Sequence, residues 1–419
     1  MEQIREQIQI PKIVNVVKKL TETNNVILPY SNRYFIKPEA EFFSHKLLLG
    51  VDELKSVVKI PIKNSFRMLI IGRTGSGKTF LTRAIWNRFY KSGGSVAILT
   101  DVKGEYGSSK YPVQKEFIKF LRKHEEPQGF PIVEYYPYFL YKDSKKNLNF
   151  CQIHLSDISF EEFLTLLDLN KLSDAKYSTL ENCFNKEIRK ENPSLRGLKE
   201  EIEKFSVQTS TKKSLLRNLE FIEKMGVIGE KYPSPDFARD INEDKIPILN
   251  LVGYEMYKKY SKFYVGIILK RLIEAKRDKK IPPNKKLLIV IDELEDFCPK
   301  HFDNSISKTE IVENLRKSRA WKVYMLFSTQ RHTHIDSAIF NQCRYVLFPG
   351  NLTLAEAVDI FKNKVPSEYD YGAVMNKNIS DLLSDMKKFW WCLIDSDERE
   401  DPYVVFKPLA PLSRHKTEY

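Results

Sequence analysis

The chain has 419 residues, of which 42% are hydrophobic and 29% charged, and its formal net charge is +13. This length allows two or three domains, and this composition excludes a disordered or collagen-like chain. The longest apolar run near the middle, Leu287–Ile291, is far shorter than the roughly 20 residues that cross a bilayer. The first residues also lack the apolar segment of a signal peptide. We therefore expect a soluble, cytoplasmic protein without a membrane partner.

The five cysteines are widely spaced and form no C-x-x-C pair, which indicates buried thiols rather than disulfides or a zinc site. The positive charge is unevenly distributed. Residues 1–66 carry a net +3 and residues 157–245 a net −3, so the remainder carries +13. A basic protein favours a polyanionic partner. If that partner is nucleic acid, we expect it to bind this remainder.

Short apolar runs and prolines without a sustained period predict a small N-terminal region of strands and turns over residues 1–60. From Phe66 onward, short continuous apolar runs alternate with helical patterns, as in a parallel sheet covered on both faces. This alternation predicts one α/β core over residues 61–156 and 246–419. Its predicted strands are 68–71, 95–99, 246–252, 287–291, 323–328, 344–348 and 388–394, and its predicted helices are 79–90, 255–278 and 308–320.

Residues 157–245 have a different pattern from the rest of the chain. Ser159 and Glu162 have the spacing of a helix capping box. Helical periodicity then predicts helices at roughly 160–169, 174–191, 195–206 and 210–225. An all-helical segment between two parts of an α/β pattern predicts a helical insertion into the core.

A glycine-rich loop follows the first predicted core strand and precedes a predicted helix. It matches G-x-x-x-x-G-K-[ST] without a mismatch, which is the pattern of a phosphate-binding P-loop. Backbone N–H groups of such a loop surround phosphate oxygens, Lys78 reaches the β and γ phosphates, and the Thr79 hydroxyl ligates Mg²⁺. The predicted nucleotide-binding residues of the loop are Gly72, Arg73, Thr74, Gly75, Ser76, Gly77, Lys78 and Thr79.

Two acids, Asp292 and Glu293, end the apolar run Leu287–Ile291. At the carboxyl edge of a parallel sheet, Asp292 can hold Mg²⁺ through its water shell, and Glu293 can polarise the attacking water. Taken alone, the pattern also fits a solvated strand end. In a chain that carries a P-loop, two such acids favour nucleotide hydrolysis over nucleotide binding alone.

Further polar residues follow other predicted strands. Asp101 and Glu105 come after strand 95–99, where either can assist the metal or the water, and the alternative is a polar turn with positive φ at Gly104. Gln330 closes strand 323–328. In a sheet where this strand and the acidic strand flank the P-loop strand, its amide would sense the γ phosphate or position water.

Basic residues in two places have alternative interpretations. Arg316 and Arg319 precede the glutamine strand, either as surface arginines or as cations for the nucleotide of a neighbouring subunit. The second interpretation implies an oligomer. The basic run 276–280, with Lys285 and Lys286, is either a solvated helix end and loop or a loop that contacts phosphates or lines a pore.

Taken together, these motifs resemble the HerA and FtsK superfamily of P-loop translocases, particularly the archaeal HerA helicases. The resemblance covers about residues 45–410 and rests on the order and register of four short matching segments. These are the loop 72–79, the string Asp-x-x-Gly-Glu-Tyr at 101–106, the acidic segment 291–299, and the segment 316–343 with Arg-x-x-Arg and Ser-Thr-Gln-Arg.

The resemblance implies a RecA-like ATPase core that binds ATP and Mg²⁺ and assembles into a ring, usually a hexamer. Lys78 would bind phosphate, and Glu293 would be the catalytic acid. Arg319, with Arg316 as second choice, would act in trans, and Gln330 would complete the catalytic set.

The chain also departs from the family pattern. Leu294-Glu295 replaces an Ala-His pair, and His332-Thr333-His334 replaces Pro-Ser-Asp. In the family a nuclease docks on an N-terminal β-barrel, so the resemblance extends to a nuclease or another DNA-processing protein as partner, although the residues before Gly72 leave little room for a barrel. A divergent plasmid or viral relative fits these departures.

We therefore expect an ATP-hydrolysing ring motor that translocates or unwinds double-stranded DNA. A conjugation-coupling or viral genome-packaging ATPase shares this chemistry and differs in its partner. A nucleotide-gated assembly or scaffold factor without a DNA track is the alternative from another class. DNA-stimulated ATP turnover distinguishes this last alternative from the motors.

Overall fold

The computed structural model describes residues 46–62, 65–167, 173–301, 303–365, 373–398 and 402–415. Most of the predicted N-terminal region, residues 1–45, lies outside the described residues. The described part of that region forms two antiparallel strands, β1 (Lys46–Val51) and β2 (Val57–Pro61).

The strands of the described residues form one twelve-stranded sheet. Besides β1 and β2 they are β3 (Arg67–Ile71), β4 (Ser95–Asp101), β5 (Ile132–Pro137), β6 (Phe150–Cys151), β7 (Ile246–Asn250), β8 (Leu287–Ile291), β9 (Val323–Thr329), β10 (Tyr345–Pro349), β11 (Trp391–Asp395) and β12 (Tyr403–Pro408). Their order across the sheet is β2-β1-β12-β11-β10-β3-β9-β8-β4-β7-β5-β6. All neighbours from β10 to β6 are parallel, and the remaining pairs are antiparallel.

Helices cover both faces of this sheet. They are α1 (Lys78–Lys91), α2 (Tyr138–Tyr141), α3 (Phe160–Leu166), α4 (Asp174–Glu187), α5 (Leu195–Lys204), α6 (Thr209–Met225), α7 (Phe237–Asn242), α8 (Lys258–Arg277), α9 (Leu294–Phe297), α10 (Ile306–Lys317), α11 (Ser337–Gln342), α12 (Leu354–Lys364) and α13 (Ala373–Asp385). The predicted α/β class with a mainly parallel sheet is confirmed.

The continuous apolar strands are buried on both faces, which explains why their sequences show no alternation. In β3, Met68 and Ile70 belong to the core on the side of α1. Leu69 and Ile71 belong to the core on the opposite side, where α8 and α10 pack. Burial of both strand faces therefore makes β3 a fixed support for the loop that follows it.

The strand order places β3 between β10 and β9. The expectation that the acidic strand also flanks the P-loop strand is wrong, because β8 pairs with β9 and β4 rather than with β3. The connection through α10 returns the chain into the position between β3 and β8. The glutamine strand β9 is consequently the one next to the P-loop strand.

The helices α3 to α6 lie within the segment predicted to be helical and confirm its four helical stretches, apart from residues 168–172, which lie outside the described residues. The capping box is present, since Glu162 N–H donates to Ser159 Oγ at 3.3 Å and Ser159 N–H donates to Glu162 Oε2 at 2.6 Å. Glu162 also forms an ion pair with Lys270 of α8. The helical segment therefore joins the core on the side of α8.

The fold bears on the expectations about the cysteines and about membrane-spanning segments. All five cysteines are buried free thiols, as predicted. No described helix combines the length and the apolar character needed to cross a membrane.

Candidate functional site

The loop between β3 and α1 has the backbone geometry of a phosphate cradle. Gly75 (φ 80°) and Gly77 (φ 92°) adopt left-handed conformations that glycine tolerates without strain. Gly77 caps α1, so the free N–H groups of the first helical turn face the loop. The buried Lys78 donates from Nζ to the Gly72 carbonyl at 2.6 Å. Burial lowers the pKa of Lys78, while the charges of Glu293 and Asp292 oppose that shift.

Asp292 is buried at the end of β8 and is held by three donors. Its carboxylate accepts hydrogen bonds from the Ser328 hydroxyl, from the N–H of Glu293 at 3.0 Å and from the Tyr106 hydroxyl at 3.1 Å. These donors come from three separate segments of the carboxyl edge. The carboxylate orientation is therefore fixed by the fold.

Glu293 follows in a left-handed conformation (φ 47°), which is uncommon for a residue other than glycine and is often found at functional sites. Its Oε1 lies 2.9 Å from Lys103 Nζ, and its Oε2 accepts a hydrogen bond from Gln330 Nε2 at 3.4 Å. Burial lowers the pKa of Lys103, but the hydrogen bond and charge of Glu293 outweigh it and raise that pKa. The predicted Glu293 and Gln330 are thus brought together, with Lys103 as an unpredicted third member.

The loop after β4 joins this group. The buried Asp101 accepts hydrogen bonds from the N–H groups of Glu105 (2.9 Å) and Tyr106 (3.1 Å). Burial raises the pKa of Asp101 to about 7, against these bonds and the charge of Arg83. Burial also raises the pKa of Glu105, while the charges of Lys103 and Arg83 oppose that shift. The polar turn with positive φ at Gly104 is present, and the carbonyl of the next residue, Glu105, accepts a hydrogen bond from Arg83 of α1.

Arg83 is a residue that the sequence reasoning missed. It is fully buried on α1, and its guanidinium donates to the Glu105 carbonyl at 2.8 Å, to Ser108 Oγ at 3.0 Å and to the Arg414 carbonyl. It therefore ties the P-loop helix to the loop that carries Glu105. A charged residue among apolar neighbours on a core helix was the one signal that could have identified it.

The outer part of the P-loop is exposed. Arg73 forms an ion pair with Glu356 at 3.1 Å, and Glu356 also lies 3.9 Å from Arg331, which follows Gln330. Thr74 and Gly75 are exposed. The buried Ser76 hydroxyl has no hydrogen-bond partner within the described part of the chain.

Arg316 and Arg319 are not brought to this site. Arg316 lies in the last turn of α10, and Arg319 lies in the 3₁₀ helix Ser318–Trp321, before the first residue of β9. The phosphate loop and the acids lie at the other end of the strands. The seven residues of β9, at about 3.3 Å each, separate the two ends by roughly 20 Å. Both arginines are exposed, and the described residues provide no ion-pair partner for either.

The basic run 276–280, which begins in the last turn of α8, lies at the same end of the sheet as these arginines. Contrary to the solvated interpretation, Lys276 is 2% exposed and donates to the carbonyls of Pro282 at 2.9 Å and Lys285 at 2.8 Å. Residues 277–280 are exposed, as that interpretation predicts. The run is therefore a helix end with one buried lysine that closes the following loop.

The residues present fit a nucleotide triphosphate with Mg²⁺. The loop N–H groups, Lys78 and the unpartnered Ser76 hydroxyl are donors for phosphate oxygens. Thr79 and Asp292 offer oxygen ligands, which Mg²⁺ prefers, and Mg²⁺ commonly takes its other ligands from water and phosphate. The described residues contain no cluster of three or more His, Cys, Asp or Glu side chains that could hold a metal on their own.

Comparison with known proteins gives one family and several similar folds. The family model of the HerA helicase central domain matches residues 51–272. No protein with a curated function matches the sequence.

Solved structures of two other proteins have a similar fold. VirB4 of Thermoanaerobacter pseudethanolicus is 14% identical with a TM-score of 0.58, and the match covers 88% of this chain and 97% of VirB4. The bacterial conjugative coupling protein TrwBdeltaN70, in an unbound form, is 11% identical with a TM-score of 0.51, covering 84% of this chain and 86% of TrwB. TrwB in complex with the ATP analogue ADPNP is 12% identical with a TM-score of 0.50, covering 84% and 88%. Identities this low show the fold alone, which is that of a P-loop NTPase.

Proposed function

The chain belongs to the family of the HerA helicase central domain, within the HerA/FtsK superfamily of P-loop ATPases, and from this membership we propose that it is a ring motor that hydrolyses ATP to move double-stranded DNA. The observation that carries the proposal is the division of the predicted catalytic set. Lys78, Glu293 and Gln330 meet at the carboxyl edge of the sheet, whereas the candidate arginines lie exposed at the amino edge. A complete site then needs the amino edge of a second copy.

In the proposed site, phosphate oxygens replace the Gly72 carbonyl as the partner of Lys78. Thr79 and Asp292 would hold Mg²⁺, which when bound neutralises charge on the phosphate oxygens. Glu293 accepts a proton from the attacking water as the water oxygen bonds to the γ phosphorus. The bond between that phosphorus and the bridging oxygen of ADP breaks in the same step. The Gln330 amide, 3.4 Å from Glu293, orients that water.

The role proposed for the neighbouring subunit is to supply Arg319, with Arg316 as the alternative. A guanidinium at the phosphoryl group stabilises charge that develops mainly in the transition state. Arg319 lies beside the start of β3, since its carbonyl accepts a hydrogen bond from the Ser65 hydroxyl at 3.4 Å, and its charge adds to burial in lowering the pKa of Arg67. The exposed cations Arg316 and Arg319 at this edge favour an anionic partner. The carboxyl edge of a second copy, rich in acids and holding the nucleotide, is one. A closed ring of such contacts, with six members as is usual in the family, satisfies every site.

DNA as the track is proposed from the family and from charge. The net charges of residues 1–66 and 157–245 cancel, so the rest of the chain accounts for the net charge of +13. Phosphate contacts by lysine and arginine carry no sequence information, so a motor of this kind should bind duplexes of any sequence. Its affinity for DNA should fall steeply between roughly 50 and 200 mM salt, because binding releases counterions.

The test is the ATPase rate of the full chain with and without duplex DNA, together with its mass in solution with an ATP analogue. We expect DNA to stimulate turnover and the mass to correspond to a closed ring. Nucleotide-dependent assembly without any DNA stimulation would favour the assembly-factor alternative. Stimulation by single-stranded DNA but not by duplexes would indicate that the motor moves along single strands.

A further inference from the structure

Phe389 is an exposed aromatic residue beside the phosphate loop that the site described so far does not use. It is 53% exposed and lies just before β11. A Cβ atom placed on Gly77 would lie 3.8 Å from Phe389 Cδ1, so the ring borders the last glycine of the loop. Trp391, two residues further along the chain, is by contrast buried in the sheet.

The backbone of Phe389 is held in an unfavourable conformation. Trp390 N–H donates to the Lys387 carbonyl at 2.9 Å, which closes a turn with Phe389 at its third position and with φ of 67°. Turns with positive φ at this position normally contain glycine or asparagine, and a bulky side chain there is strained. Such strain is found preferentially at functional sites and ligand clamps. The turn therefore presents an aromatic ring where local stability favours glycine.

The strand order gives the direction in which a nucleotide would extend. The groups assigned to the γ phosphate, Glu293 and Gln330, follow β8 and β9 on one side of β3. Phe389 precedes β11, on the other side of β3 beyond β10. A triphosphate in the loop with its γ phosphate at Glu293 directs its nucleoside away from β8 and β9. The strands on that opposite side are β10 and β11, and Phe389 stands at their carboxyl-edge corner.

We propose that Phe389 is the platform on which the base of the bound nucleotide stacks. This inference rests on the proposed function, since it assigns the base end of the same nucleotide. The ring is in contact with the exposed Lys388 ammonium group, 5.1 Å from its centroid, and a base can displace such an exposed partner at small cost. Because every base has a π face, the platform supports purine nucleotides in general and does not select adenine.

The experiment measures, by calorimetry on the full chain, the affinity for a non-hydrolysable ATP analogue, for its GTP counterpart and for inorganic tripolyphosphate. In Phe389→Ala we expect both nucleotides to bind about ten- to a hundredfold more weakly, while tripolyphosphate binds as in the wild type. Phe389→Tyr should restore nucleotide affinity. Phe221→Ala is the matched control, because Phe221 is a similarly exposed (56%) phenylalanine on α6 and its removal should change none of the three affinities.

Phe389→Gly separates a binding role from a structural one. Glycine adopts φ of 67° without strain, so this variant should unfold at the same or a higher urea concentration than the wild type while losing nucleotide affinity. Unchanged nucleotide affinity in both Phe389→Ala and Phe389→Gly overturns the inference, and so does an equal loss of tripolyphosphate affinity. Failure of the proposed function looks different, because the wild type itself would then bind no nucleotide or bind it without hydrolysis.

Discussion

The two edges of the parallel part of the sheet are opposite in chemistry. At the carboxyl edge the polar groups contact one another: Lys103 pairs with Glu293, and Tyr106 and Ser328 bond to Asp292. At the amino edge Arg316 and Arg319 are exposed, and neither has an ion-pair partner in the part of the chain that the structure describes. One edge is thus preorganised within a single chain, whereas the other presents cations outward.

This difference indicates how the site can depend on assembly. A carboxyl edge held by its own contacts can bind phosphates in a monomer, because none of its groups needs a partner chain for its orientation. The arginine proposed to act at the transition state, in contrast, lies about 20 Å away in the same fold, so it would have to come from another copy. Binding and turnover should therefore respond differently to changes at the two edges.

The largest effect is expected from Arg319→Ala. Turnover should fall about 10³-fold or more with little change in ATP affinity, because the guanidinium stabilises charge that exists only in the transition state. Lys317→Ala is the matched control, since Lys317 is an exposed cation of the same helix end that pairs with Glu313. ATPase rate and nucleotide affinity are measured for both variants.

Dilution and mixing test whether this arginine acts in trans. The wild type should lose activity per chain as it is diluted below its assembly concentration. Mixing Arg319→Ala with Glu293→Gln should recover part of the activity, since intact groups from the two chains meet at some interfaces. Constant activity per chain in a demonstrated monomer would return Arg319 to the status of a surface residue.

A smaller but still large effect is expected at the carboxyl edge from Glu293→Gln. Turnover should fall about 10²-fold or more while ATP affinity stays near that of the wild type, because the carboxylate acts on water in the chemical step. Lys78→Ala should instead lose ATP affinity, since the lysine contacts phosphates in the ground state. Near-normal turnover in Glu293→Gln would remove Glu293 from the catalytic role.

The carboxyl edge was the easier one to predict from sequence. Its loop has a fixed pattern, and the acids follow a continuous apolar strand. The motif and the order of strands along the chain are therefore enough to predict that Lys78 and Asp292 lie at this edge. Lys103 and Tyr106 were present in a recognised string but received no role, because their contacts with residues 292 and 293 depend on the pairing of β4 with β8. Local patterns carry no information about such long-range register.

The fold was predicted where strands are buried and missed where they are not. β5 and β12 have partly exposed faces and no sustained apolar run, so no pattern marked them. The strand predicted from residue 388 begins three residues later, at Trp391, because residues 387–390 form the turn that strains Phe389. The strand pattern therefore failed at a place where the chain has an exposed aromatic residue beside the P-loop. Departures from local sequence rules are common near functional sites.

The smallest effect concerns the amino edge and the pH dependence of stability. Burial, with the charges of Lys322 and Lys285, lowers the pKa of Lys276 from 10.5 to about 8. Between these values the unfolded chain binds a proton that the folded chain lacks, so the free energy of unfolding should rise with pH from about 8 to 10.5 and be insensitive to this group below 8. Lys276→Met should reduce that rise, and Lys280→Met, which removes an exposed charge from the same run, should leave it unchanged. Urea unfolding at several pH values across this window measures the slope, and equal slopes in the wild type and Lys276→Met would show that Lys276 keeps its proton in the fold.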